Sequence, residues 1–226
     1  GTTRRDSEIP RRRAVENLEG LPVKLTIHHF DLPLRHVFTI SRESITVQPT
    51  VIVELEEDGE RGYGEATTNA YYHVSREGLA HSIESVRTVL ESHRLTDPVA
   101  LWAELEPHLR GQPFAQCAID QAAYNLWGKL RGQPVYRLWG LHDDHLPVTN
   151  YTIGIDSIAT MVAKMREFPE WPVYKVKLGT PHDLDIIRQL RAATNAVFRV
   201  DANCGWSADE TIRNARANSI PRRGPG

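Results

Sequence analysis

The sequence predicts an α+β unit over residues 22–145 followed by an α/β unit with a parallel sheet over residues 146–226, and three observations carry that reading. Residues 23–66 alternate apolar and polar side chains in short runs closed by glycine turns, the pattern of a meander of antiparallel strands. Residues 75–130 then repeat apolar side chains at helical spacing, so that strands come first and helices follow. After Leu146-Pro147 strand-like and helix-like segments alternate, which is the grammar of βα units.

Composition excludes several classes. With 226 residues, 40% hydrophobic and 25% charged side chains and a net charge of -2, the chain is long enough for one large domain or two small ones. Its charge makes no electrostatic case for nucleic acid or an anionic membrane. Cys117 and Cys204 lie far apart without Cys-x-x-Cys spacing, so neither a zinc knuckle nor a disulfide scaffold is expected and a cytoplasmic location fits. No apolar run is long enough to cross a bilayer, and the N-terminal arginines precede no apolar core of a secretory signal. Residues 1–21, with Arg4-Arg5 and Arg11-Arg12-Arg13 interleaved with Asp6, Glu8 and Glu16, read as a disordered leader.

The elements follow in order. Val23, Leu25, Ile27 and His29 mark a first strand, Val37 to Ile40 a second and Val51 to Leu55 a third, with a turn at Asp58-Gly59 and Gly62-Tyr63-Gly64-Glu65-Ala66 beyond it. Ser41-Arg42-Glu43-Ser44 is a polar loop, a surface turn or a carrier of binding groups. Ser75 to Glu91 predicts one helix with Leu79, Ile83, Val86 and Leu90 on its stripe. Asp97-Pro98 predicts an N-cap and first helical residue, with Leu101, Trp102, Leu105 and Leu109 on the buried face that follows. Gln112 to Leu130 predicts a third helix whose Ala115, Cys117, Ala118, Ala122 and Ala123 permit close approach of a neighbour. His142 and His145 have no third ligand nearby and read as linker residues. Beyond them, strands are expected at 148–153, 173–178 and 198–201, and helices at 157–168, 183–193 and from Ser207, where Ser207 to Glu210 has the capping-box pattern.

The strand Val173-Tyr174-Lys175-Val176-Lys177-Leu178 breaks a rule. Strands of a parallel sheet are buried on both faces and run apolar, yet Lys175 and Lys177 share one face here. A solvated edge explains such a pair, but the next strand ends in Asp201, followed by Ala202-Asn203. Lysines on one strand and a carboxylate at the tip of its neighbour make a candidate site, and functional groups of such sheets gather at the C-terminal strand ends, where Thr152, Lys177 and Asp201 fall.

On these residues the chain resembles the enolase superfamily, in its muconate-lactonizing branch, and is most similar to the dipeptide epimerases. The resemblance covers roughly residues 22–215. It rests on Gly62-Tyr63-Gly64-Glu65, Ala118-Ile119-Asp120-Gln121-Ala122 leading to Leu138-Trp139-Gly140, Tyr151-Thr152-Ile153-Gly154, Lys175-Val176-Lys177 and Val200-Asp201-Ala202-Asn203. It implies an α+β capping domain followed by the first part of an α/β (TIM-type) barrel, with one magnesium ion held by carboxylates at successive strand ends. In that pattern Asp201 is the first metal ligand with Asn203 beside it. Lys177 is the base that removes a proton alpha to a carboxylate, Lys175 is its electrostatic partner, and Thr152 and Arg42 contact the substrate, a dipeptide or other small carboxylate. Self-association into a homo-oligomer is left open.

The chemistry is coherent: an amine removes so weakly acidic a proton only when the enolate is stabilised, and a cation bound by hard oxygen ligands does this. A second lysine, a cation and partial burial are expected to lower the base's pKa from about 10.4. Muconate cycloisomerase-like and o-succinylbenzoate synthase-like activities belong to the same branch, and a non-catalytic fragment that only binds a partner is the rival of another class. A complete barrel takes roughly 250 residues, more than follow Leu146. The sequence also leaves helical chemistry at Asn218-Ser219-Ile220-Pro221. A truncated or frame-altered gene product, or a fragment of a larger protein, inactive and poorly soluble alone, is therefore expected.

Overall fold

The computed structural model describes residues 22–142 and 146–218. The leader expected over residues 1–21, the linker residue His145 and the chain end from Ser219 lie outside them. The described residues fall into two compact units. The first takes the chain up to His28, Val51–Ala66 and Glu77–Leu138, and the second takes His29–Thr50, Thr67–Arg76 and the chain from Trp139.

Three strands form one sheet in the order β1 (Lys24–Thr39), β2 (Ser44–Glu57), β3 (Glu60–Thr67). β1 is one strand of 16 residues, not the two shorter runs expected at 23–29 and 37–40. The gap between those runs is strand as well, and Pro33 within it is tolerated because β1 lies at a sheet edge, where a residue without an N–H can sit. Asp58 and Gly59 turn β2 into β3 with φ of 51° and 82°, the left-handed pair that a two-residue hairpin needs.

Within the first unit, the helix expected over 75–91 is two, α1 (Arg76–Glu84) and α2 (Arg87–Leu90). Ser82 Oγ donates to the Gly78 carbonyl and Ser85 Oγ to the Ser82 carbonyl, at 2.9 and 2.8 Å, and such side-chain bonds to preceding carbonyls compete with the helical ladder. α3 (Pro98–Leu105) starts as expected, with the Asp97 side chain accepting from Val99 N at 2.9 Å. Trp102 does not join the buried face: it is 40% exposed, while Leu105 and Leu109 are buried. α4 (Pro113–Leu130) is followed by the short α5 (Val135–Leu138).

The neighbour that approaches α4 is the strand β3. A Cβ on Gly62 would lie 2.2 Å from the Ala122 carbonyl oxygen, and one on Gly64 1.9 Å from that of Ala118. Only glycine allows backbone to meet backbone so closely. One stripe of α4 also serves β3's outward backbone edge. Asn125 Oδ1 accepts from Tyr63 N at 3.1 Å, Gln121 Nε2 donates to the Glu65 carbonyl at 3.2 Å, and Lys129 donates to the Arg61 carbonyl. The i, i+4, i+8 spacing of Gln121, Asn125 and Lys129 puts all three on one face, and an edge that would otherwise recruit another strand is covered. Cys117, expected to ease this approach, is exposed.

In the second unit β4 (Tyr151–Ile153), α6 (Ile158–Arg166), β5 (Val173–Lys177), α7 (Asp183–Ala193), β6 (Val197–Asp201) and α8 (Ala208–Asn218) follow one another. The sheet order is β4-β5-β6, with parallel pairing Tyr151↔Tyr174↔Phe198 and Thr152↔Lys175↔Arg199. Tyr174, Val176 and Leu178 pack with Ile153, Met161, Met165, Ile186, Ile187 and Leu190 in a buried cluster. Period-two alternation therefore sends Lys175 and Lys177 to the other face.

Candidate active site

β5 and β6 bring the candidate residues together because their register sets Lys177 opposite Asp201. The Lys177 ammonium, in a residue only 7% exposed, donates to Asp201 Oδ2 at 2.9 Å and to Asn203 Oδ1 at 3.0 Å. Lys175 Nζ lies 2.9 Å from the same Asp201 Oδ2. Asp201 Oδ1 accepts the Asn203 N–H at 2.9 Å. Burial would raise the Asp201 pKa, but the hydrogen bonds from Lys177, Lys175 and the Asn203 N–H outweigh it and hold the carboxyl well below the usual carboxylate range. Asp201 is thus a carboxylate that keeps its charge, with two ammonium groups on one oxygen.

The turn after β6 aims Asn203. Asn203 and Cys204 take φ of 48° and 61° in succession; asparagine tolerates this region better than most residues. Gly205 N closes the turn onto the Ala202 carbonyl at 2.8 Å. Ser41, in the turn between β1 and β2, reaches the same place, its Oγ donating to the Ala202 carbonyl at 2.9 Å. A Cβ on Gly179 would come within 2.6 Å of the Ser41 Cβ, and one on Gly205 within 2.9 Å, so two glycines make room for this serine. The Phe38 ring lies 5.8 Å from Lys177 Nζ.

Two expected residues stand apart from this cluster. Thr152 is half-buried and pairs with Lys175, on the lysine face but one register row before Lys177. Arg42 is exposed and stacks over the Tyr71 ring at 3.8 Å. Sequence reasoning missed Ser41 as a contact of the β6 turn, and it missed Asp183 and Trp206 altogether. For Asp183 a signal existed: an acid three residues after Thr180 and just before an apolar helical repeat is a capping pattern. Nothing in the sequence announces the pairing of Asp183 with Trp206. Of the two linker histidines, His142 is exposed.

Asp201 and Asn203 offer hard oxygens of the kind magnesium takes. In number they fall short: among the described residues no group of three or more His, Cys, Asp or Glu side chains is placed to hold a metal ion. The residues present do not make a complete magnesium site.

A meander, then helices, then parallel βα units with lysines and an acid at the strand ends define a chain of the enolase-superfamily fold: an α+β capping domain followed by the first part of an α/β (TIM-type) barrel. Comparison narrows the class. Residues 23–140 match the family described as mandelate racemase / muconate lactonizing enzyme, N-terminal domain, and the chain belongs to that family. It is 47% identical over 193 residues to the L-Ala-D/L-amino acid epimerase of Flavobacterium johnsoniae and 49% identical over 193 residues to that of a Maribacter species. Each alignment covers 85% of this chain and 57% of the relative, so the chain spans little more than half the length of these curated relatives. The solved structure of a dipeptide epimerase from Cytophaga hutchinsonii, complexed with Mg and the dipeptide D-Ala-L-Val, superposes with a TM-score of 0.79 at 25% identity. That match covers 88% of this chain and 56% of that one.

Proposed function

We propose that the chain supplies the proton-abstracting half of a dipeptide epimerase, with residues 22–145 as its capping domain and residues 146–226 as the start of its barrel. The observation that carries this is the buried Lys177 ammonium within 3.0 Å of both Asp201 and Asn203, at the C-terminal ends of two adjacent parallel strands. The names of the relatives, L-Ala-D/L-amino acid epimerases, support a dipeptide as the substrate class.

In this reading Lys177 first gives up a proton, and its neutral amine is the base that takes the proton from the carbon next to the substrate carboxylate. Lys175, joined to it through one Asp201 oxygen, places a second positive charge on the side where the enolate's negative charge develops. Thr152 lines the same face and Arg42 lies on the hairpin turn beside Ser41. Both are proposed to contact substrate. Asp201, with Asn203 beside it, is the part of a magnesium donor set that these residues offer, as one ligand among several. Epimerisation also needs a proton returned to the opposite face of the carbon, and these two lysines lie on one strand face.

The test is a fusion of this chain to the C-terminal remainder of the Flavobacterium johnsoniae epimerase, assayed by NMR in D2O for exchange and inversion at the alpha carbon of L-Ala-L-Xaa dipeptides with magnesium. Turnover is expected, and Lys177→Met should lower kcat by about 10²- to 10⁴-fold, the usual contribution of a general base. A folded fusion without turnover, or one indifferent to Lys177→Met, would sink the reading and leave a non-catalytic binding role.

A further inference from the structure

Asp183 is 3% exposed, and the chemistry above makes no use of it. Its carboxylate collects four donors. Gly179 N reaches Oδ2 at 2.9 Å, Thr180 N and Thr180 Oγ1 reach Oδ1 at 2.8 Å each, and Trp206 Nε1 reaches Oδ2 at 2.6 Å. The first three donors belong to the loop that leaves β5 immediately after Lys177-Leu178. The fourth belongs to the loop that leaves β6 after Asp201 and Asn203. One carboxylate therefore holds the two loops that flank the lysine–aspartate pair. As the first residue of α7 it also sits where a helix favours negative charge. Among the described residues no other side chain of the second unit carries so many bonds to both loops: Ser41 reaches only the carbonyls of Ala202 and Asn203.

We infer that Asp183 is a positioning residue, and that its bond to Trp206 ties the β6 loop to the β5 loop so that Asn203 and Asp201 stay aimed at Lys177. Three of the four hydrogen bonds stay within the loop between β5 and α7 and would hold that loop without the tryptophan. The indole bond adds nothing to the capping of α7; it adds a link across the two strand ends. The catalytic consequence rests on the proposed roles of Lys177 and Asp201; the positioning itself does not.

The experiment uses the ¹⁵N-labelled 226-residue chain and reads amide hydrogen exchange by NMR, with Trp206→Phe and Asp183→Asn as variants. Trp206→Phe keeps an apolar ring and removes only the indole donor. It should leave Gly179 N and Thr180 N protected and speed exchange at Asn203 N by about tenfold or more, the scale of one lost hydrogen bond to a charged acceptor. Asp183→Asn keeps the shape but offers one acceptor oxygen where two are used, and should speed exchange at Gly179, Thr180 and Asn203 together. Unchanged exchange at Asn203 in Trp206→Phe overturns the inference, even if Asp183→Asn fails to fold. Neither readout involves turnover, so an inactive fusion enzyme would refute the epimerase reading and leave this one standing.

Discussion

Replacing Gly64 by alanine tests whether the strand-to-helix contact in the first unit is as close as the structure shows. In an ordinary strand this change is neutral or stabilising, because glycine weakens a strand by roughly 0.5–1 kcal/mol relative to alanine. Here the new Cβ would lie 1.9 Å from the Ala118 carbonyl oxygen and 2.7 Å from Ala122 N, both rigid helix backbone. β3 must move away from α4 by more than an ångström. Overpacking of this kind costs about 1–3 kcal/mol. The displacement also stretches the Asn125–Tyr63, Gln121–Glu65 and Lys129–Arg61 bonds, each worth about 1 kcal/mol. The sum is about 4–6 kcal/mol, a large part of the 5–15 kcal/mol that holds most domains folded. Urea unfolding followed by circular dichroism measures it, with Asn125→Ala and Gln121→Ala as partial perturbations that should each lose about 1 kcal/mol. A Gly64→Ala chain as stable as wild type would refute the close approach and the edge-covering role of α4 with it.

Gly179 adopts φ of 112°, and a Cβ there would meet Ser41, so Gly179→Ala should lose about 1–3 kcal/mol in the same unfolding assay. The acid side of the stability curve should report Asp201. Its folded pKa is lowered, so its contribution is fully present above the unfolded value near 3.9 and is lost as pH falls below it. Unfolding free energies between pH 6 and pH 3 should therefore fall less steeply in Lys177→Met than in wild type, and identical slopes would count against the pairing. Finally, Trp102→Ser should cost less than Leu105→Ala, for which about 2–5 kcal/mol is expected, because the tryptophan is 40% exposed and the leucine 2%. The reverse ranking in denaturant midpoints would contradict the observed orientation of α3.

Much of the site was legible because its residues are close in sequence to the periodicity that orients them. Alternation puts Lys175 and Lys177 on one face of any strand, and strand–helix alternation implies a parallel sheet whose carboxyl ends carry the acid of the next strand. Those inferences use only local geometry, and the register Lys177↔Asp201 agrees with them. Where local geometry was overruled, the cause was a tertiary or side-chain alternative. The edge position of β1 let it run through Pro33, and Ser82 and Ser85 broke a helix that apolar spacing alone would have continued.

The sequence by itself determined the order of elements, the face of the lysine pair and the residue types able to do proton chemistry, since periods of 2 and 3.6 and side-chain pKa values are properties of short segments. Only the tertiary structure decided that Ser41 fits against Gly179 and Gly205, that β3's glycines lie on the backbone of α4, and that Asp183 joins Trp206 across two loops. Each of these links residues more than 20 positions apart, and the contact depends on where whole strands and helices pack, which no local pattern encodes.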